Sequence, residues 1–397
     1  MRILFVADSY PPLRNSAAVQ VKDLTSEFIS LNNQVTVLAP NPSLKEPLSV
    51  IESEGAKVIF IRVLQARDSS YFKRTVAEIL MPLIMIYRLK CSRILNGKDF
   101  EALIWYSPSI FFGPLIRYLQ NLLQCKTYLI VRDIFPDWAL DIGLMRKSLP
   151  YYFFKLVAAY QYSLADVIGV QSEGNKKYFT KWQSKQSRSL EVLQNWYSKK
   201  PFNTSSISIE NSSLAGRKIF VYAGNMGIAQ GMESLLYLAE RMSSNDEAGF
   251  VFVGRGAKVK NLKKYAEAKN LKNILFFDEI DPSEISDLYD QCHIGLIALA
   301  PGHKSHNIPG KFLSYMNNGL PVLACVNAGN DLIHLIQSAK VGAVISDNNL
   351  DSLEYEAHIL LNQLSSHFDY KNNCLTLSQD LFSSNIAALQ ILRAVKK

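Results

Sequence analysis

The alternation of short apolar runs with longer amphipathic stretches constrains the fold of this chain more than any other feature of its sequence. Thirteen runs of five to seven residues have the composition of buried strands. Helical patterns fill the gaps between them, and strands that alternate with helices form parallel sheets covered on both faces. The pattern therefore predicts an α/β fold, with strands at 2–7, 34–39, 57–61, 102–106, 127–131, 166–171, 190–194, 218–224, 249–254, 273–277, 293–299, 321–325 and 342–346 and helices that include 16–31, 231–243, 257–269 and 309–318.

A segment without clear periodicity separates two such series of strands and helices. Residues 199–216 are rich in Ser and Asn and are typical of a linker. A chain of 397 residues also fits two domains. We therefore expect Rossmann-like domains at 1–198 and 217–375, and a C-terminal helix at 376–397 with the N-terminal domain as its candidate packing surface. Ligands bind outside the carboxyl ends of such strands, so the domains are predicted to face each other across a cleft.

The five cysteines are scattered along the chain and lack any CxxC spacing. This pattern favours reduced thiols in the cytoplasm over a zinc or redox site. Residues 1–7 have no continuing apolar region or cleavage site, so they fit a first strand better than a signal peptide. No cluster of His or carboxylate residues has metal-ligand spacing. We therefore expect a cytoplasmic protein that uses no metal or other cofactor.

The net charge of +8 is concentrated in one stretch. Nine basic and two acidic residues lie between Lys57 and Lys98, around the apolar run ILMPLIMIY at 79–87. That run is too short to span a bilayer, which needs about 20 apolar residues. A basic segment beside an apolar patch fits peripheral attachment to an anionic membrane surface, such as the inner face of the plasma membrane. The alternative is a buried helix with a solvated basic end, kinked in either case at Pro82. Nucleic acid is a weaker interpretation, since no binding motif accompanies the charge.

The strongest indication of a binding site is the segment GHKSHNIPGKFLSYMNNGLPVLA, residues 302–324. Asn307 precedes a predicted helix that begins near Pro309, because the fixed φ of proline suits a first helical position. Gly310 leaves the start of the helix open, and Lys311 lies in its first turn. A cation there opposes the helix dipole unless an anion is nearby. The segment therefore predicts a diphosphate site, with a lysine that points into water as the alternative.

Glycines at two other strand-to-helix turns support an anionic ligand. Gly224 and Gly227 follow the strand at 218–224, and Gly254 follows the strand at 249–254. Such glycines allow the backbone to approach phosphate groups, although glycine at these turns is often only a turn residue. Neither turn has the full GxGxxG or P-loop pattern, which disfavours a nicotinamide cofactor or a kinase-type site.

Polar candidates in the first half follow two predicted strands. Asn15 and Ser16 come after the first strand, and the sequence VRDIFPDWALDIG places Arg132, Asp133 and Asp137 after the strand at 127–131. Such residues could meet a reacting group at the carboxyl ends of the strands. A structural ion pair between Arg132 and Asp133 is the other interpretation.

The chain resembles the large family of retaining glycosyltransferases with the GT-B fold known as family 4, over nearly its full length. The resemblance rests on MRILFVADSYPP, VRDIFPDWALDIG, VLQNWYS, YAGNMGIAQGMESL, FVGRG and NIPGKFLSYMNNGLPVLA. The forms RDIFPD, QNW, AGNMGIAQG and NIPGKF are most similar to bacterial surface-polysaccharide enzymes, with N-acetyl-L-fucosamine transferases of O-antigen or capsule assembly as the closest type.

This resemblance implies a UDP-sugar donor held mainly by the C-terminal domain and a polyprenyl-diphosphate-linked sugar acceptor held mainly by the N-terminal domain. Gly224, Asn225, Gly227, Pro309, Gly310 and Lys311 would then surround the diphosphate, while Gly254, Arg255, Asp278 and Ile280 would lie near the base and ribose. Asn15, Ser16 and Asp137 become candidates for acceptor binding, and Lys311, Asp133 and Arg132 candidates for catalysis. No metal is implied.

The sequence departs from the family pattern in two places. The phosphate loop has Asn225 and Gln230 where the family usually has Arg or Lys. His306 and Ser314 occupy the positions of two glutamates that the family usually carries eight positions apart. Two alternatives therefore remain, namely a UDP-sugar 2-epimerase and a non-catalytic partner subunit with the same fold.

Overall fold

The computed structural model describes residues 1–13, 15–65, 71–141, 143–184, 188–197, 203–227, 230–300, 308–366 and 368–396. The chain divides into two compact units. The first unit comprises Met1–Trp196 and Ser384–Lys397, and the second comprises Tyr197–Ser383.

The first unit is built on an eight-stranded sheet whose strands run in parallel except for one at the edge. Its order is β3-β4-β2-β1-β5-β6-β7-β8, and β3 pairs antiparallel with β4. The strands are β1 (Arg2–Val6), β2 (Gln34–Pro40), β3 (Leu48–Ser53), β4 (Ala56–Ile61), β5 (Ala102–Ser107), β6 (Lys126–Val131), β7 (Val167–Val170) and β8 (Ser189–Val192). The helices between them are α1 (Ser16–Ser30), α2 (Tyr71–Ser92), α3 (Gly113–Leu123), α4 (Asp137–Asp141), α5 (Leu149–Ser163) and α6 (Thr180–Gln183), with 3₁₀ turns at Gly97–Asp99 and Glu173–Phe179.

The second unit contains a six-stranded sheet in which every pairing is parallel. Its order is β11-β10-β9-β12-β13-β14. The strands are β9 (Lys218–Ala223), β10 (Ala248–Val253), β11 (Ile274–Phe277), β12 (Ile294–Ala298), β13 (Val322–Cys325) and β14 (Gly342–Ile345). The helices are α7 (Met232–Arg241), α8 (Val259–Ala268), α9 (Ile285–Asp290), α10 (Gly310–Asn317), α11 (Asp331–Ala339), α12 (Leu350–Leu364) and α13 (Tyr370–Leu381).

A last helix, α14 (Ser384–Lys396), belongs to the first unit although it ends the chain. It packs against α1, and Ile391, Leu392 and Val395 enter the core on that side of the first sheet. The Gln390 side chain also donates a hydrogen bond of 2.8 Å to the carbonyl of Val192. The opposite side of this sheet is covered by α2 and α3.

The observed boundaries differ from the expected ones at two points. Residues 203–216, expected in the linker, belong to the second unit because Ile207, Ile209 and Leu214 are buried in its core. The helix expected at 376–397 is two helices, since α13 ends at Leu381 in the second unit and α14 begins at Ser384. Each predicted strand overlaps an observed one. Strand β3 was not predicted, because none of its residues is buried and it lacks the apolar run of a covered strand.

The apolar run at 79–87 lies inside α2, which continues through Pro82. Met81 and Met85 point into the core, whereas Leu83 and Tyr87 are exposed. The helix is therefore buried on one side only, and attachment to a membrane through its exposed side stays a prediction. Within the described ranges, no helix is both long enough and apolar enough to cross a membrane.

Candidate functional site

Lys311 lies in the first turn of α10, at the carboxyl ends of the strands of the second sheet. Pro309 precedes the helix in an extended conformation, so the chain enters α10 sharply. Tyr315 anchors α10 to the sheet, because its hydroxyl lies 3.1 Å from the carbonyl oxygen of Val221 in β9 and 3.2 Å from that of Leu296 in β12. Sequence and packing together thus hold the Lys311 backbone next to the end of β9.

The Lys311 ammonium group contacts Tyr222, the residue before the end of β9. Its Nζ donates a hydrogen bond of 2.8 Å to the Tyr222 hydroxyl and lies 4.1 Å from the centre of the ring. The Tyr222 hydroxyl in turn donates to the carbonyl of Asn225, at 2.7 Å. Tyr222 therefore connects the lysine to the turn after β9, a role that the sequence analysis missed because the partners are far apart along the chain.

The environment of Lys311 is unfavourable for a cation in the absence of a ligand. Burial lowers the pKa of Lys311 from 10.5 to about 8. Among the residues that the structure describes, no carboxylate lies within ion-pair distance of its Nζ. A desolvated ammonium group of this kind attracts an anion, because pairing recovers the solvation that burial removes.

The turns after β9 and β10 pack backbone against backbone. A Cβ atom on Gly254 would lie 2.1 Å from the carbonyl oxygen of Gly224, and one on Gly256 would lie 2.4 Å from that of Met226. The Met226 amide also donates to the carbonyl of Arg255 at 2.8 Å. The Lys311 side chain passes the exposed Gly224, at 3.7 Å from the position of a Cβ there. These glycines thus bring two turns and the lysine to one edge of the sheet.

Gly227 is less available than expected. Its amide donates a hydrogen bond of 3.1 Å to Oε1 of Gln230, which lies in the same turn. A phosphate bound to this amide would have to replace the Gln230 side chain. Asn225, by contrast, is exposed next to Gly224.

The residues expected near the base and ribose lie at the ends of β10 and β11. Arg255 is exposed and forms an ion pair of 3.1 Å with Glu279, and Asp278 lies 3.8 Å from Lys263. Ile280 packs partly against the core of the unit. In each of these two ion pairs the opposite charges compensate each other, so neither pair adds net charge at this end of the sheet.

Ser314 lies one turn after Lys311 on α10 and is partly buried. Its hydroxyl is hydrogen bonded to Tyr289, a contact that lowers the Tyr289 pKa against the larger effect of burial. Gly310 is open toward the described part of the chain, since no described atom lies within 4 Å of the position of a Cβ there. His306 and Asn307 lie outside the described residues, so their predicted roles remain predictions.

Arg132 lies at the end of β6 in the first unit and is buried. Its guanidinium group lies 4.4 Å from the Trp196 ring, and its Nη1 donates a hydrogen bond of 3.2 Å to the carbonyl of Leu193. Burial lowers the pKa of Arg132. Desolvation raises the pKa of the neighbouring Asp133, while the positive charge of Arg132 partly offsets this by lowering it. Asp133 nevertheless remains exposed to solvent.

A network of polar side chains beside Arg132 was not singled out in the sequence. Gln20 accepts a hydrogen bond of 2.6 Å from the Tyr106 hydroxyl and lies 3.4 Å from Asn195. Asn195 donates to Gln171, which donates to the carbonyl of Arg132 at 3.0 Å. These residues come from four separate segments, so spacing along the chain carried no signal of their proximity.

Of the three residues expected to contact an acceptor, two lie at the start of α1 and the third at the start of α4. Asn15 caps α1 by accepting a hydrogen bond of 2.8 Å from the Ala18 amide, and Ser16 is exposed beside it. Asp137 begins α4, where its carboxylate accepts from Tyr151 at 3.1 Å and from Lys155 at 2.5 Å. The Asp137 carboxylate is therefore already engaged within the first unit.

A cavity of about 310 Å³ opens in the first unit where β1, β2 and β4 end. Met81 and Ala77 of α2 form one wall. The polar side chains around it belong to Asp8, Asn41, Ser43, Gln65, Arg74, Glu78 and Ser109. Such a lining provides the donors and acceptors that a sugar requires. Within the described ranges, no three His, Cys, Asp or Glu side chains form a group that could hold a metal ion.

Comparison with known proteins places this geometry in context. Residues 205–373 match the family Glycosyl transferases group 1. The probable glycosyltransferase WbjE of Pseudomonas aeruginosa is 28% identical, over 58% of this chain and 57% of its own length. The putative colanic acid biosynthesis glycosyl transferase WcaI of Escherichia coli is 23% identical, over 60% of each chain. The chain thus spans less than two thirds of the length of these relatives.

Solved structures resemble the whole chain at low identity. Sucrose-phosphate synthase from Thermosynechococcus elongatus has a TM-score of 0.72 at 16% identity. The match covers 100% of this chain and 98% of the synthase chain. WaaG, a glycosyltransferase involved in lipopolysaccharide biosynthesis, has a TM-score of 0.67 at 15% identity, over 98% and 99%. Anabaena Alr3699/HepE in complex with UDP has a TM-score of 0.68 at 12% identity, over 100% of both chains. Two largely parallel α/β sheets and these likenesses show a GT-B fold, and residues 205–373 within its second unit match the Glycosyl transferases group 1 family.

Proposed function

We propose that this chain is a retaining glycosyltransferase that moves a sugar from a UDP-sugar donor to an acceptor. The observation that carries the proposal is Lys311, a desolvated cation beside Gly224 and within a domain that matches a glycosyltransferase family. The diphosphate of a nucleotide sugar supplies the anion that this cation lacks. The UDP bound to HepE, a protein of the same fold, supports the choice of nucleotide.

In the proposed reaction the protein acts mainly through electrostatics. Lys311 stabilises the negative charge that develops on the departing diphosphate while an acceptor hydroxyl approaches the sugar. Retention then requires no protein nucleophile of the two-carboxylate kind. Tyr222 holds the ammonium group in place, and the open backbone at Gly310 leaves room for the phosphate oxygens. We propose that no metal ion takes part.

The acceptor is proposed to be a polyprenyl-diphosphate-linked sugar in the assembly of a bacterial surface polysaccharide, with N-acetyl-L-fucosamine as the transferred sugar. The involvement of WaaG in lipopolysaccharide and of WcaI in colanic acid biosynthesis supports this class of product. The cavity beside α2 is our candidate for the acceptor sugar, because of its polar lining. Arg132 and Asp133 remain candidates for a catalytic role.

The place of action is proposed to be the inner face of the plasma membrane, with attachment through the basic segment, residues 57–98. Lys73 and Lys90 of α2 are exposed cations that can meet anionic lipids, and the Lys90 Nζ also lies 5.4 Å from the centre of the Tyr118 ring. Arg74 is paired with Glu78, and the Arg88 guanidinium donates to the carbonyl of Pro47. Replacing Lys73 and Lys90 by Gln should weaken binding to anionic vesicles and leave turnover of a short soluble acceptor unchanged.

The decisive experiment combines donors and acceptor. Purified protein is incubated with UDP-, GDP- and dTDP-sugars and polyprenyl-diphosphate-linked GlcNAc, and release of the nucleotide is measured. We expect release of UDP that depends on both partners. Lys311→Ala should lower kcat/KM by about 10²–10³-fold, whereas Lys260→Ala, a change at an exposed lysine of α8, should have no effect.

Three results would contradict the proposal. Conversion of a UDP-sugar without acceptor would indicate the epimerase. Binding of UDP without any transfer would indicate a non-catalytic subunit. Full activity of Lys311→Ala would remove the lysine from the donor site.

A further inference from the structure

The outer face of α5 is apolar, although none of the described residues of its unit covers it. Leu149, Tyr152, Phe153, Leu156 and Tyr160 are exposed, with 87% of Leu149 and 71% of Leu156 accessible to solvent. Their spacing along the helix places them on one side, opposite the buried Tyr151, Ala158 and Gln161. A helix that is apolar on both sides is normally covered on both sides, so the outer face of α5 requires a partner.

A second apolar stripe belongs to the same layer of helices. Val76, Leu80, Leu83 and Tyr87 of α2 are exposed at intervals of three or four residues, opposite the buried Met81 and Met85. Helix α3 packs against both α2 and α5, which places the two stripes on the same side of the first sheet. We define these nine residues together as the apolar face.

Charge distinguishes between the possible partners. The sequence from Gly143 to Ser163 contains Arg146, Lys147 and Lys155 and no Asp or Glu. Arg146 and Lys147 are exposed immediately before α5, and α3 contributes the exposed Arg117. The apolar face is therefore framed by cations, which complements a surface of anionic headgroups.

Three acidic side chains near this layer have partners. Asp137 is paired with Lys155, and Glu78 is paired with Arg74. Asp141 accepts a hydrogen bond of 3.2 Å from Tyr178. The cations paired with Asp137 and Glu78 offset the repulsion between these two carboxylates and anionic lipid. Leucine, tyrosine and phenylalanine side chains are also those that enter the boundary between headgroups and acyl chains.

We infer that α5, together with the outer stripe of α2, inserts into the headgroup region of an anionic bilayer. The inference rests on the proposed function only for its purpose, the access to a lipid-linked acceptor. Ala77 and Met81 of α2 line the cavity on the inner side of that helix. A bilayer along its outer side therefore lies about 10 Å from the cavity, the diameter of one helix.

The test uses co-sedimentation of the full chain with vesicles of phosphatidylcholine, with or without phosphatidylglycerol. Leu149→Ser/Leu156→Ser should lower partitioning onto the anionic vesicles by at least about tenfold, because two leucines no longer enter the bilayer. Both side chains are mostly exposed, so the melting temperature should not change. Tyr355→Ser, at an exposed position of α12 in the second unit, is the matched control and should bind like the unmodified protein.

A second variant tests the role of charge. Arg146→Gln/Lys147→Gln should weaken binding to anionic vesicles by about fivefold for each charge removed and leave binding to phosphatidylcholine unchanged. UDP release with a short soluble acceptor should be the same for all variants. If the proposed function is wrong, no donor releases its nucleotide. If the membrane inference is wrong, the change appears only in the binding to vesicles, so the two failures can be told apart.

The inference would be overturned by either of two results. In one, the Leu149→Ser/Leu156→Ser variant partitions onto vesicles as strongly as the unmodified protein. In the other, the unmodified protein is a dimer that does not bind vesicles and the same variant is a monomer, which would show that the apolar face meets a second copy of the chain.

Discussion

At the scale of single residues, the buried charge of Lys311 lowers the stability of the folded protein and is expected to strengthen the binding of an anion. A pKa lowered from 10.5 to about 8 corresponds to about 3 kcal/mol of unfavourable free energy for the charged side chain at neutral pH. Lys311→Met should therefore raise the free energy of unfolding at pH 7 by about 1–2 kcal/mol, after the hydrogen bond to Tyr222 is lost, and abolish tight binding of UDP. Urea denaturation and calorimetric titration measure the two effects. A loss of stability in this variant would show that the lysine has a structural role.

The same residue predicts a dependence on pH. Because the folded pKa lies below the unfolded one, the unfolded state binds more protons between about pH 8 and 10.5, so Lys311 makes the free energy of unfolding rise across that window. Binding of UDP needs the charged form and should weaken about tenfold for each pH unit above about 8. This pH dependence of UDP binding should disappear in Lys311→Met.

Tyr222 is predicted to act by positioning Lys311. Its hydroxyl accepts a hydrogen bond from the ammonium group, which favours the charged form. Tyr222→Phe should lower the pKa of Lys311 further, so the weakening of UDP binding should begin about 1 pH unit earlier. An unchanged pH profile would restrict Tyr222 to packing.

At the scale of elements, the turns after β9 and β10 tolerate substitution very unequally. Gly254 has a φ of 137°, and a Cβ there would collide with the carbonyl of Gly224, so Gly254→Ala should destabilise the protein by about 3 kcal/mol or more. Gly310→Ala meets open space at the start of α10 and should change stability by less than about 1 kcal/mol. Denaturation of both variants under one set of conditions tests this contrast.

Elements and contacts differ in how far the sequence predicts them. The strands other than β3, and α10, were predictable because each has a local pattern, such as the buried run before Gly224 or the Pro309–Gly310 helix start. Contacts across the fold were not, because the Lys311–Tyr222 hydrogen bond joins residues 89 positions apart. The Gln230 side chain on the Gly227 amide was missed for another reason, since glycine alone does not show which acceptor occupies its amide.

At the scale of the whole molecule, the end of the chain completes the unit in which the chain began. Deletion of residues 384–397 should expose the core positions that Ile391, Leu392 and Val395 cover, and should destabilise the first unit by about 5 kcal/mol or more. Calorimetry should show the transition of that unit shifted to a lower temperature. Equal shifts for both units would contradict the assignment of α14 to the first unit alone.

The position of α14 also has a consequence for synthesis. Residues 197–383 must be translated before α14 exists, which takes about 10 to 40 s at ordinary elongation rates. Throughout that interval the nascent first unit presents an uncovered apolar groove along α1, at which association with other nascent chains competes with maturation. The order of maturation is thereby reversed, since the unit that leaves the ribosome first is the last to be complete.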